Sequence, residues 1–121
     1  DKRVKTFALR IIKFVVSLPK NEITYVLGHQ LLKSGTSIGA NYREAKSAQS
    51  RDDFIHKIGL VEKETNETRY WLELFEASNT GNLEELKSLI QEVSELLAIF
   101  IKSGKTAKIN HPKRHYAIKE S

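Results

Sequence analysis

The sequence contains no cysteine, and this absence excludes disulfide bonds, thiolate metal sites and cysteine nucleophiles. Its longest apolar run, Leu96 to Ile101, is far shorter than the roughly 20 residues that cross a bilayer, so we expect no membrane span. No secretory signal pattern is found at the start, and we expect a cytoplasmic protein. With only two prolines and 40% hydrophobic residues, the 121-residue chain has the composition of one globular domain.

Charge is distributed unevenly along the chain, although the net charge is only +5. Residues 1–20 contain six Lys or Arg and one acidic residue, and residues 102–121 have the same six-to-one ratio. Residues 52–101 instead contain four Lys or Arg and eleven acidic residues. Such a chain can bind a polyanion through its basic ends, or pair with copies of itself.

Apolar residues recur at spacings of three and four in four successive segments, which predicts four amphipathic helices. The second segment keeps this spacing through the polar sequence SGTSIGAN, along the positions Leu27, Leu31, Ser34, Ile38, Asn41, Ala45 and Ala48. No segment alternates as a strand would, and the connections are short. The sequence therefore predicts an all-α protein, an antiparallel up-down-up-down four-helix bundle. We place the bundle in residues 1–102 and a basic C-terminal tail in residues 103–121.

Helix boundaries are indicated by proline, glycine and capping residues. Pro19 should stop the first helix, and Asn21 can cap the second. Ser50 and Asn82 each precede an acidic residue by three positions, as in a capping box. The sequence Asn-Thr-Gly at 79–81 should end the third helix.

The polar stretch of the second helix faces a polar stretch of the third, Glu62 to Arg69, if the two helices turn around near Ser50. Residues whose numbers sum to about 100 then lie at similar heights in an antiparallel pair. We infer a buried hydrogen-bonded layer, with exposure to solvent as the alternative. Its predicted members are Ser34, Ser37, Asn41, Glu44, Glu64, Asn66 and Glu67.

Two short motifs suggest chemistry that their context does not support. Gly35 to Gly39 matches the G-x-S-x-G nucleophile elbow, but that motif needs a strand before it and helical spacing surrounds it here. His111 and His115 lack a third ligand nearby, and Pro112 lies between them. We therefore expect no enzymatic activity, no metal site and no cofactor.

Two long motifs resemble the four-helix-bundle proteins encoded by intervening sequences in bacterial large-subunit (23S) ribosomal RNA genes. The first is residues 31–45, LLKSGTSIGANYREA; the second combines residues 54–58, Glu64, Glu67 and residues 70–74. The resemblance implies a compact bundle that assembles into a homopentamer. It also implies kinship with the accessory variability proteins of diversity-generating retroelements, which bind nucleic acid and a reverse transcriptase.

From the charge pattern and this resemblance we predict a non-enzymatic oligomer that binds structured RNA or a ribonucleoprotein, with a reverse-transcriptase-like protein as a further partner. The alternative is a self-assembly scaffold that does not bind nucleic acid, held together by ion pairs or by an apolar stripe with Trp71 and Leu74. The predicted nucleic-acid contacts are Arg3, Arg10, Lys13, Arg43, Lys46, Lys105, Lys108, Lys113 and Arg114.

Overall fold

The chain forms four α-helices in a computed structural model that describes residues 1–110. Their bounds are α1, Lys2–Val16; α2, Glu22–Lys46; α3, Arg51–Ala77; and α4, Leu83–Asn110. There is no β-strand in residues 1–110. The predicted all-α class is confirmed.

The helices pack in sequence order, and α1 also contacts α4, which closes the bundle. Contacts between low-numbered residues of one helix and high-numbered residues of the next make neighbours antiparallel. Val4 approaches Gly39, whereas Val15 approaches Gly28. Diagonal helices run parallel, since Phe14 of α1 packs edge-on against Phe75 of α3 at 5.4 Å between ring centroids. This is the predicted up-down-up-down arrangement.

The core follows the predicted apolar spacing. Each helix contributes at least one side chain with no more than 1% of its surface exposed, such as Phe7, Leu31, Leu72 and Leu89. In α2 the seam continues through the polar stretch, because Ser34, Gly35 and Ile38 are all buried. Gly35 lets α1 come close: a β-carbon at this position would lie 3.0 Å from Cγ2 of Ile11.

Three predicted helix starts are confirmed by hydrogen bonds from backbone amides to capping side chains. Asn21 accepts from Thr24, Ser50 accepts from Asp53, and Asn82 accepts from Glu85. Each bond satisfies an amide that has no partner within its helix.

The end of α3 differs in detail from the prediction. The residue in the left-handed region that ends the helix is Asn79, with φ 56°, and the amide of Thr80 donates to the carbonyl of Phe75 as in a Schellman motif. Gly81 has a second role. Its φ is 93°, and a β-carbon there would lie 2.7 Å from the ring of Phe14.

The predicted boundary between bundle and tail at residue 102 is wrong, because α4 continues to Asn110. Gly104 is buried against Ile58 and Glu62 of α3. The sequence hides this packing because Gly104 and Ala107, which continue the spacing from Phe100, are too small to produce an apolar pattern. Residues 111–121 of the predicted tail lie outside the described residues.

Candidate nucleic-acid interface

Arg3, a predicted nucleic-acid contact on α1, is bound by two carboxylates of α4. Its Nε donates to Oε2 of Glu92 at 2.8 Å, and its Nη2 donates to Oε1 of Glu95 at 2.6 Å. Glu95 also accepts from Gln91, at 2.8 Å. The bond from Arg3 lowers the pKa of Glu92, and the bond from Gln91, followed by that from Arg3, lowers the pKa of Glu95.

Arg10 and Lys46 are also paired within the chain. Nη2 of Arg10 donates to the hydroxyl of Ser88 at 2.8 Å and lies 3.4 Å from Oε2 of Glu85. Nζ of Lys46 donates to Asp1 at 2.7 Å. Three of the predicted nucleic-acid contacts, counting Arg3, therefore hold α1 against its neighbours, and the sequence alone did not reveal these partners.

The remaining predicted cations within residues 1–110 are exposed and form no ion pair there: Lys13, Arg43, Lys105 and Lys108. Seven lysines that were not predicted as contacts are also exposed and form no ion pair within residues 1–110: Lys2, Lys5, Lys20, Lys33, Lys63, Lys87 and Lys102. Lys113 and Arg114 lie outside the described residues.

Six of these eleven cations share one end of the bundle. The start of α1 meets the end of α2 through the pair of Asp1 and Lys46. The end of α2 meets the last turns of α4, where Tyr42 packs on Phe100 at 5.3 Å between ring centroids. We call this region the basic end and define it by Lys2, Lys5, Arg43, Lys102, Lys105 and Lys108. Lys13 lies toward the opposite end of α1.

The buried polar layer exists at the predicted height but with different members. The hydroxyl of Thr68 donates to Oγ of Ser34 at 3.0 Å, and Thr65 is buried one turn away. Ser34 itself donates to the carbonyl of Leu31. The layer therefore joins α2 and α3 through hydroxyl groups rather than through carboxylates.

The other predicted members of the layer are not buried, and this part of the prediction is wrong. Glu44, Asn66 and Glu67 are exposed, whereas Ser37, Asn41 and Glu64 are half-buried. The physical reason is helix phase, since one residue along a helix rotates the side chain by about 100°. Thr68 is therefore directed inward where Glu67 is directed to solvent.

Glu64 lines a pocket of about 230 Å³ between α2 and α3, with Gln30, Lys33, Ser34, Lys63 and Glu67. Burial raises the pKa of Glu64, and the nearby carboxylate of Glu67 raises it further. Among residues 1–110, no group of three or more His, Asp or Glu side chains is arranged to hold a metal ion.

The G-x-S-x-G sequence lies in the middle of α2, and α1 rather than a strand precedes that helix. The hydroxyl of Ser37 donates to the carbonyl of Lys33 one turn earlier, at 2.7 Å. An elbow would require a sharp turn that exposes the serine. The serine is thus part of a regular helix, as its surroundings in the sequence predicted.

Apolar side chains are exposed at the opposite end from the basic end, on the edge shared by α2 and α3. Ile23 and Val26 are 62% and 52% exposed, and they precede Gln30 and Ser34 on the edge of α2 that faces α3. Tyr70 is 53% exposed and packs edge-on against Trp71 at 5.1 Å. We call Ile23, Val26, Tyr70 and Trp71 the α2–α3 patch.

No helix within residues 1–110 has the length and hydropathy needed to cross a membrane.

Comparison with known proteins relates the chain to a protein family and to solved structures. The profile of the family described as 23S rRNA-intervening sequence protein matches residues 2–102. The chain is also similar to a crystal structure from Bacteroides thetaiotaomicron, described as a protein with unknown function from the S23 ribosomal protein family. The two share 42% identity with a TM-score of 0.78, over 86% of this chain and 96% of the other. No curated protein matches the sequence.

Proposed function

Because this chain belongs to the 23S rRNA-intervening sequence protein family, we propose that it is a non-enzymatic, homo-oligomeric bundle that binds structured RNA or a ribonucleoprotein in the cytoplasm. The observation that carries this proposal is the basic end, where cations of three helices are exposed without an acidic partner within residues 1–110.

The distribution of pairing decides which cations we assign to RNA. Arg3 and Arg10 are bound to carboxylates of α4, so a phosphate would have to displace those bonds. Lys105 and Lys108 have no such competitor, and they lie three residues apart on exposed turns of α4. Phosphate groups bind free cations at lower cost, because each contact releases counterions without breaking an existing ion pair.

The test is a filter-binding titration of a structured RNA hairpin against the Lys105→Glu and Lys108→Glu double variant. Lys87→Glu is the matched control, because Lys87 is an exposed lysine near the other end of the same helix. We expect the double variant to bind the RNA about tenfold or more weakly at low salt. The slope of the logarithm of the binding constant against the logarithm of the salt concentration should also decrease, by the amount expected for the loss of roughly one to two phosphate contacts. The double variant changes the net charge by four and Lys87→Glu changes it by two. A loss of binding free energy in Lys87→Glu about half that of the double variant would therefore show that only total charge matters, and would contradict an interface at the basic end.

Self-association supports the same proposal by multiplying weak contacts. In a homo-oligomer, and in the pentamer that we propose, each subunit would present its own basic end, and modest contacts would combine through avidity. An RNA-bound ring of this kind would offer a reverse-transcriptase-like protein a repeated surface. Light scattering of the purified protein would give the subunit number, and a monomer would contradict this part of the proposal.

The second candidate function is a self-assembly scaffold that does not bind RNA, and the α2–α3 patch favours it. Large apolar side chains exposed together on a monomer are typical of protein interfaces. Because Arg3 and Arg10 already neutralise acids of their own chain, we expect apolar contacts rather than ion pairs to drive assembly. The oligomer should then persist in 1 M salt, and Tyr70→Glu should dissociate it. An oligomer that dissociates in high salt would instead indicate ion pairs between subunits.

A further inference from the structure

A second surface with a different character lies on the other side of α2, where α1 and α2 leave a groove between them. The groove has a volume of about 560 Å³, and its apolar lining includes Val15, Leu18, Gly28 and Leu32. Gly28 forms its floor, since a β-carbon there would lie 3.4 Å from Val15 and 3.9 Å from Leu18. The absence of a side chain at position 28 therefore lets the end of α1 pack closely on α2, and the groove lies beside this contact.

Exposed apolar residues continue along α1 from Val16, next to the groove-lining Val15, and Tyr25 of α2 lines the groove itself. Val16 is 72% exposed, Tyr25 77%, Leu9 57% and Ile12 39%. Val16, Ile12 and Leu9 follow one another at helical spacings of four and three, so they form one strip. A strip about two turns long beside a groove has the dimensions that accept the apolar face of an amphipathic helix.

The charges around the strip determine which helix it would accept. Lys20 lines the groove at one end, and Lys5 lies on α1 beyond the other end of the strip. Arg43 lies on α2 near the end of that helix. All three are exposed and form no ion pair within the part of the chain that the structure describes. Among the described residues, Glu22 is the one acidic residue that lines the groove.

We propose that the groove between α1 and α2 binds an amphipathic helix of a partner protein whose apolar face is flanked by acidic residues. Charge complementarity selects this occupant. Residues 111–121 of the same chain contain three Lys or Arg and one acidic residue, so they would be repelled. The backbone of RNA could pair with the lysines, but its phosphates would gain nothing from the apolar strip between them.

The proposal is tested by fluorescence anisotropy with two labelled helical peptides and the full chain. Both peptides carry leucine at positions i, i+3, i+4 and i+7; one has glutamate on the flanks and the other has lysine. We expect saturable binding of the glutamate peptide and at least about tenfold weaker binding of the lysine peptide. Val16→Asp should weaken binding of the glutamate peptide about tenfold or more, because a carboxylate would be placed in the apolar contact. Lys20→Glu should weaken it about threefold.

The matched control is Ile109→Asp, which introduces the same charge at another apolar side chain that is 72% exposed near the C-terminal end of a helix. This variant should bind the glutamate peptide normally. The proposal is overturned if the glutamate peptide does not bind, if both peptides bind equally, or if Val16→Asp binds like Ile109→Asp. It is also overturned if Val16→Asp dissociates an oligomer in light scattering, because a second copy then occupies the groove. Displacement of the peptide by an RNA hairpin from the Lys105→Glu and Lys108→Glu double variant, whose basic end is weakened, would likewise overturn it, because the groove itself would then bind RNA.

Discussion

The close approach of α1 to α2 at Gly35 leads to a stability prediction that can be worked from distances. Replacing Gly35 with alanine should favour the helical conformation by about 1 kcal/mol, because glycine is a poor helix former. The new β-carbon would lie 3.0 Å from Cγ2 and 3.3 Å from Cγ1 of Ile11. Ile11 has no exposed surface and cannot move without disturbing the core. Overpacking of this kind costs about 1–3 kcal/mol, so we expect a net loss of about 1 kcal/mol.

Gly59→Ala is the matched control for this prediction, because a β-carbon at position 59 would have no atom within 4 Å. It should raise the free energy of unfolding by about 1 kcal/mol through helix propensity alone. Gly39→Ala should fall between the two, since its β-carbon would make an ordinary contact of 3.5 Å with Val4. Urea denaturation followed by circular dichroism at 222 nm, at one fixed protein concentration, measures all three. If Gly35→Ala stabilises the protein as much as Gly59→Ala, α1 does not pack against α2 at this position.

Three further predictions concern the polar contacts. Thr68→Val should lower the free energy of unfolding by about 1 kcal/mol, because the buried hydrogen bond between Thr68 and Ser34 is lost. Thr36→Val should have almost no effect, because Thr36 is exposed. Urea denaturation compares the two variants, and equal effects would contradict a buried hydroxyl pair. Glu64→Gln should raise the free energy of unfolding near neutral pH, because the raised pKa of Glu64 means that its ionised form destabilises the folded state. The gain should disappear below the ordinary pKa of glutamate, where Glu64 is protonated in both the folded and the unfolded state. A gain that persists in acid would argue against burial of this carboxyl group. Arg3→Gln should lower the thermal midpoint at neutral pH. The pKa of Glu92 is lowered by Arg3, so this stabilisation is present above the ordinary pKa of glutamate and is lost as the pH falls through the lowered value; a difference from wild type that is independent of pH would refute the pairing.

Helix periodicity was sufficient to predict the class and topology, because the core positions of all four helices carry large apolar side chains at regular spacing. The same reasoning placed Ser34 beside the correct turn of α3 but assigned the wrong neighbour. Height along an antiparallel pair changes by only about 1.5 Å per residue, whereas direction changes by about 100°. The signal that identifies Thr68 was present in the sequence. Val61, Thr65, Thr68 and Leu72 keep the spacing of four and three, and all four are buried.

The pairing of cations could not be predicted in the same way, because it depends on how α1 is rotated against α4. These two helices are far apart in sequence, and no turn fixes their relative phase. The end of α4 was missed for a different reason: close packing at Gly104 needs a small residue, and small residues produce no apolar pattern. What the sequence leaves undetermined is thus the rotation of each helix about its own axis and the close packing of small residues.

The ion pairs between α1 and α4 change how the charge pattern should be interpreted. The acidic segment 52–101 suggests a surface that repels nucleic acid, yet Glu85, Glu92 and Glu95 are matched by arginines of α1. The same pairs remove Arg3 from the set of free cations. If pairing separates structural from binding cations, Arg3→Gln should reduce stability and leave RNA affinity nearly unchanged. Exchanging Lys105 for glutamine, which removes the same single charge, should do the reverse, because the Lys105 side chain is exposed and forms no ion pair within residues 1–110. Two variants that each remove a cation would then have different effects: one would lose stability and the other would lose RNA affinity. An account based on net charge alone does not produce that result.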